Sequence, residues 1–141
     1  AWQIKVLHPR AQSPRWHAVS VNNDSLCLQI TGWQLRLLLL GDLQTAGLIN
    51  CPLPTKNDLI LWPHHGRYDP YLREFLTNAP RSLLIAATPR QLDSRSRRIV
   101  EDLGLTTFYT DRHQSVEFIW LPKKDQPSWL LRGPRIETNK K

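Results

Sequence analysis

Methionine is missing from all 141 residues, the initiator included, and the chain reads as a piece cut from a longer protein. Cysteine is scarce. Cys27 and Cys51 stand apart with no Cys-x-x-Cys spacing, which excludes a zinc ribbon and leaves the redox compartment undefined. No apolar run comes near the roughly 20 residues of a membrane span, and the Leu37 to Leu40 stretch is soon interrupted. The first residues lack the charged and apolar blocks of a signal peptide. Any membrane attachment must therefore come from parts outside this chain.

What is present suits a folded domain. Hydrophobic residues make up 40% of the chain, and its length is that of a single domain with a real core. The net charge of +7 is uneven, with +4 of it falling from Leu121 onward, where Lys123, Lys124, Arg132, Arg135, Lys140 and Lys141 outnumber Asp125 and Glu137. Such a tail suits phosphate backbones through counterion release, or is simply solvated.

Ile4 to Leu7 reads as a strand, followed by a polar, proline-bearing loop from His8 to Asn23. Leu26 to Ile30 and Leu35 to Leu40 form a hairpin around Thr31-Gly32-Trp33-Gln34. The near-continuous apolar content implies that at least one of these strands is covered on both faces. Leu43 to Asn50 suits a short helix, and Cys51 to Asn57 a loop. Asp58 to Trp62 is another buried strand, and Asp69-Pro70 opens a helix through Ala79. Leu83 to Ala87 is a strand. A helix from Asp93 to Leu103 stops at Gly104. Thr106 to Thr110 and Ser115 to Trp120 are strands around a turn at Asp111-Arg112-His113-Gln114. The class is α/β, a mixed sheet with helices packed on it. Trp33 and Trp62 are expected in the core, while His8 and His17 show no partner.

Two segments carry the chemistry. The strand Leu35 to Leu40 runs into Gly41-Asp42, and Leu59 to Trp62 runs into Pro63-His64-His65-Gly66. A carboxylate and an imidazole at the ends of neighbouring parallel strands would emerge at one sheet edge, as in an oxygen- and nitrogen-rich metal site. Gly41 lets the backbone turn there. Arg90, Arg95, Arg97 and Arg98 cluster at the start of the last helix, where they suit a phosphate backbone or a solvated face.

Asn23-Asp24-Ser25-Leu26, the strand into Gly41-Asp42-Leu43, and Leu61-Trp62-Pro63-His64-His65-Gly66 together resemble the metallo-β-lactamase-like domain of ComEC-type DNA-uptake (competence) proteins. The resemblance covers about Ile4 to Trp120 and only the C-terminal half of that domain. It implies that residues 1–120 form half of an αββα metallo-β-lactamase-like sandwich, with 121–141 as a basic, flexible tail. It implies a zinc or manganese site, dinuclear in the complete domain, with none required in this piece alone. Asp42 matches the aspartate that bridges the metals. His65, or alternatively His64, matches the late histidine ligand, and the other imidazole faces the scissile phosphate. The catalytic set is thus Asp42, His64 and His65, with Arg67, Arg90, Arg95, Arg97 and Arg98 contacting nucleic acid.

The implied activity is metal-dependent phosphodiester hydrolysis on DNA during transformation. It would belong to a cell membrane protein with this soluble domain on the extracytoplasmic side. The partners are DNA and the upstream half of the same domain. Three features depart from the pattern. The superfamily's His-x-His-x-Asp-His motif is absent from the chain, Arg67 stands where relatives carry Ser, and Thr88-Pro89-Arg90-Gln91 replaces a Gly-His-Pro. The chain is accordingly expected to be inactive alone. The alternative is a catalytically degenerate module of the same fold that binds nucleic acid or a partner domain.

Overall fold

The computed structural model describes residues 1–9, 21–33, 35–79, 83–86, 92–110, 117–121 and 128–132. A six-stranded mixed sheet runs in the order β1 (Gln3–His8), β2 (Cys27–Gly32), β3 (Leu35–Leu39), β4 (Leu59–Leu61), β5 (Leu83–Ala86) and β6 (Thr107–Tyr109). The first three strands are antiparallel, and β3 to β6 run parallel. Helices α1 (Thr45–Asn50), α2 (Pro70–Thr77) and α3 (Ser94–Asp102) connect the parallel strands. The class expected from the sequence, α/β with helices on a mixed sheet, is what the chain adopts. Leucine favours helix over strand as an intrinsic propensity, yet β3 is mostly leucine; pairing on both sides and burial outweigh that preference.

The parallel strands follow one another in a single direction across the sheet, so right-handed crossovers place all three helices on one face. That face holds the core. Leu7, Cys27, Leu38, Ile60 and Leu84 meet Leu48 of α1, Leu72, Phe75 and Leu76 of α2, and Ile99 and Val100 of α3. Cys27 and Cys51 lie within it as buried thiols in mutual contact; that contact and burial push the Cys27 thiol far up.

The opposite face is apolar but open. The register aligns Ile4 with Ile30 and Leu37, and Val6 with Leu28, Leu39 and Leu61. Ile4 and Val6 are 67% and 57% exposed, and the other five are half-buried. On this face of β4 only Leu59 is fully buried. Trp2 lies over Gly32, where a Cβ would come within 2.4 Å of its ring, and packs at 5.3 Å against Trp33. Covering Ile4 and Val6 would contribute roughly 1–2 kcal/mol each.

Several expectations are corrected. Trp62 is buried as expected, but Trp33 is 51% exposed in the hairpin turn. His8 is no loop residue: it ends β1, fully buried, and its Nε2–H donates to the Asn23 carbonyl at 2.6 Å. β6 and β7 (Glu117–Leu121) do not pair with each other; β6 joins β5, while β7 pairs antiparallel with β8 (Ser128–Arg132) in a second sheet. The segment read as a tail therefore contains a strand. Arg90, His17, the turn at residues 111–114 and the tail lysines lie outside the described residues.

Candidate functional site

The two strand exits are joined by backbone. His64 N–H, just past β4, donates to the Gly41 carbonyl just past β3, at 3.0 Å. Gly41 has φ +56°, and a Cβ there would sit 2.8 Å from the Leu26 carbonyl oxygen, so the turn requires glycine on both counts. This link carries Asp42 and His65 to the same point, with Oδ1 and Nε2 at 3.5 Å and both side chains accessible. The site lies at the carboxyl ends of parallel strands, where α/β proteins place ligands.

The histidine turn is strained. His64, His65 and Gly66 follow one another with φ of 48°, 53° and 80°, all left-handed. Each non-glycine residue held so costs on the order of 1 kcal/mol or more. Surrounding bonds hold the turn in place. Arg67 N–H returns to the His64 carbonyl at 3.1 Å, and the buried Trp62 indole N–H donates to the Arg67 carbonyl at 3.2 Å.

His64 is clamped edge-on by two amides. Asn22 Nδ2 lies 3.3 Å from its Nε2, and Gln44 Nε2 lies 3.2 Å from its Nδ1. A neutral imidazole donates from one nitrogen and accepts at the other, so one amide turns its oxygen toward the ring. Burial lowers the His64 pKa below its ordinary value, and the positive charges of Arg67 and His65 push the same way. Asp42 and Asp69 oppose them, and the net shift is downward. The orientation of the Asn22 loop is itself fixed from beneath. Asn23 is buried and its Oδ1 accepts the Gly47 N–H at 3.0 Å; a Cβ at Gly47 would meet Leu43 at 2.6 Å and the Asn23 carbonyl at 3.1 Å.

Beside this turn lies a cavity of about 310 Å³ whose polar lining includes Gln44, Thr45, His64, Arg67, Tyr68 and Asp69. Asp69 caps α2 by accepting the Tyr71 N–H at 2.9 Å, and it also accepts the Thr45 hydroxyl at 2.7 Å. Across the rim, Asp93 caps α3 through Arg95 N–H and Ser96 N–H, both at 2.9 Å, and reaches Tyr68 N–H at 3.2 Å. Burial raises the Asp93 pKa, but these bonds and the Ser96 hydroxyl outweigh it and hold the carboxyl below its usual range. Arg95 sits over the Tyr68 ring at 5.6 Å from its centroid.

Of the residues singled out in the sequence, Asp42, His64, His65 and Arg67 thus gather at one edge, and Arg95 borders them. Arg97 and Arg98 are exposed along α3, with Arg97 bonded back to the Leu92 carbonyl at 3.4 Å. Sequence reasoning missed Asn22, Gln44, Thr45 and Tyr68 altogether, and saw Asp69 only as a helix cap; Asn22 reaches His64 across 42 positions. Among the described residues no group of three or more His, Cys, Asp or Glu side chains converges as a metal site. A catalytic zinc takes three protein ligands, so Asp42 with one histidine does not complete one. No protein-family model, curated protein or solved structure matches the chain.

Proposed function

We propose that this chain is the C-terminal half of a metal-dependent, nuclease-like phosphodiester hydrolase domain of the metallo-β-lactamase fold. It would be carried by a membrane-anchored DNA-uptake protein on the extracytoplasmic side. The observation that carries the reading is the convergence of Asp42 and His65 at the ends of two adjacent parallel strands. The open sheet face supports it. A sheet with helices on one side and apolar side chains on the other suits half of a four-layer sandwich, in which a second half would cover Ile4, Val6 and their neighbours.

A zinc or manganese ion held in part by Asp42 and His65 would supply Lewis-acid chemistry for phosphodiester hydrolysis in the complete domain. Asp42 and His65 contribute donors toward that site, and the upstream half must bring the remainder. His64, whose two ring nitrogens meet the Asn22 and Gln44 amides, would exchange one of those partners for a phosphate oxygen or the leaving group when substrate binds. Arg67 adds a fixed positive charge beside it.

The test compares the chain with its parent protein. With manganese and linear DNA, the chain alone should show no cleavage, whereas the parent should cleave and lose that activity on Asp42→Ala. Cleavage by the isolated chain, itself abolished by Asp42→Ala, would refute the need for a second half.

A second reading is a catalytically degenerate module that binds nucleic acid or a partner domain. The missing third ligand among the described residues favours it. Salt-dependent DNA binding that ignores both chelator and His65→Ala, together with an inactive parent, would select it.

A further inference from the structure

We propose that the cavity beside the histidine turn is a recess for one unstacked nucleotide, with Tyr68 stacking on its base and Arg67 holding its phosphate. The inference rests on the hydrolase reading above and deepens it by assigning the residues that seat the DNA next to the reacting bond.

Three observations lead there. The first is size and chemistry: about 310 Å³, of the order of one base with its sugar, with both polar and apolar lining. Its acidic member, Asp69, is buried and already bonded to the Thr45 hydroxyl and the Tyr71 N–H, so it acts as the floor. Arg67 in the lining and Arg95 over Tyr68 bring positive charge that suits a phosphate, set against the carboxylates of Asp69 and Asp93.

The second is the aromatic. Tyr68 is 39% exposed although it lines the cavity, and it is held at both ends of its surroundings. Asp93 fixes its backbone N–H, and the Arg95 guanidinium lies over its ring at 5.6 Å. A ring positioned in advance by a cation, with surface still open, is a stacking platform that needs no reorganisation to receive a base. A tyrosine that served only to fill the core would be buried.

The third is position. Arg67 and Tyr68 directly follow the left-handed His64-His65-Gly66 turn, so the strain that sets the imidazoles also sets the recess. Arg67 and His64 both line the cavity. A strand with one phosphate at Arg67 would continue past Arg95 toward Arg98 on the exposed side of α3. A base inside a duplex is stacked on both sides and does not enter such a recess without flipping.

The experiment measures binding of a fluorescently labelled thymidine oligomer to the 141-residue chain by anisotropy, with chelator present so that no cleavage intervenes. Tyr68→Ala should weaken binding by about ten-fold or more. Tyr68→Phe should bind nearly as the unaltered chain, because the ring and not the hydroxyl stacks. Arg67→Gln should weaken binding and reduce the slope of log affinity against log salt by about 0.7. A blunt duplex of matched length should bind more weakly than the single strand. Circular dichroism and melting of each variant establish that it is folded. Unchanged affinity in folded Tyr68→Ala, or equal affinity for duplex and single strand, would overturn the recess. Failure of the hydrolase reading would look different: binding with the expected tyrosine dependence, but a parent protein that cleaves nothing.

Discussion

Gly41 is the hinge on which the site turns. It accepts the hydrogen bond that joins the two strand exits, at a φ that side chains resist, and with a carbonyl oxygen where a Cβ would stand. Gly104 provides an internal control, since its φ of +59° is equally left-handed but nothing lies within 4 Å of its would-be Cβ. Gly104→Ala should cost about 1 kcal/mol, from backbone conformation alone. Gly41→Ala should cost about 2–4 kcal/mol, because strain and overlap add. Urea unfolding of the two variants checks the difference, and equal losses would mean the Leu26 contact relaxes freely. At this level the sequence was half legible. Glycine before aspartate and glycine after paired histidines marked the two turns. The amides that clamp His64 left no mark, because Asn22 and Gln44 have no spacing rule linking them to it.

The helices are set by their caps, and those caps also build the site. Asp69 starts α2 and floors the cavity, while Asp93 starts α3 and ties down Tyr68. Asp93→Ala should therefore lower stability by about 1–2 kcal/mol. The pH dependence follows from the sign of its shift. The folded pKa lies below the ordinary carboxylate value, so the stabilisation is complete above that value and is lost as pH falls through the folded one. Melting temperatures between about pH 6 and pH 3 should fall less steeply in Asp93→Asn than in the unaltered chain. An identical slope would show that the cap carboxylate does not titrate with unfolding. Both helix starts were readable from Asp-Pro and from Asp before a polar-apolar repeat. The pairing of β7 with β8 was not, since the sequence between Pro122 and Pro127 reads as loop and the partner strand lay in what looked like a tail.

Among the described residues, the six-stranded sheet carries its helices on one side only, and the arrangement follows from strand order and crossover handedness. The leucine-rich strands foretold burial on two faces, and the described helices cover one of them. Ile4 and Val6 remain exposed beside half-buried Leu28, Ile30, Leu37, Leu39 and Leu61. On the proposed reading, the ligand pair Asp42 and His65 and the open face would each be one side of a two-sided whole. Elemental analysis of the intact parent protein tests this most directly. The expected result is close to stoichiometric zinc or manganese, lost in Asp42→Ala and sharply reduced in His65→Ala. A parent protein purified without chelator that holds no divalent metal, or holds as much after both substitutions, would contradict it.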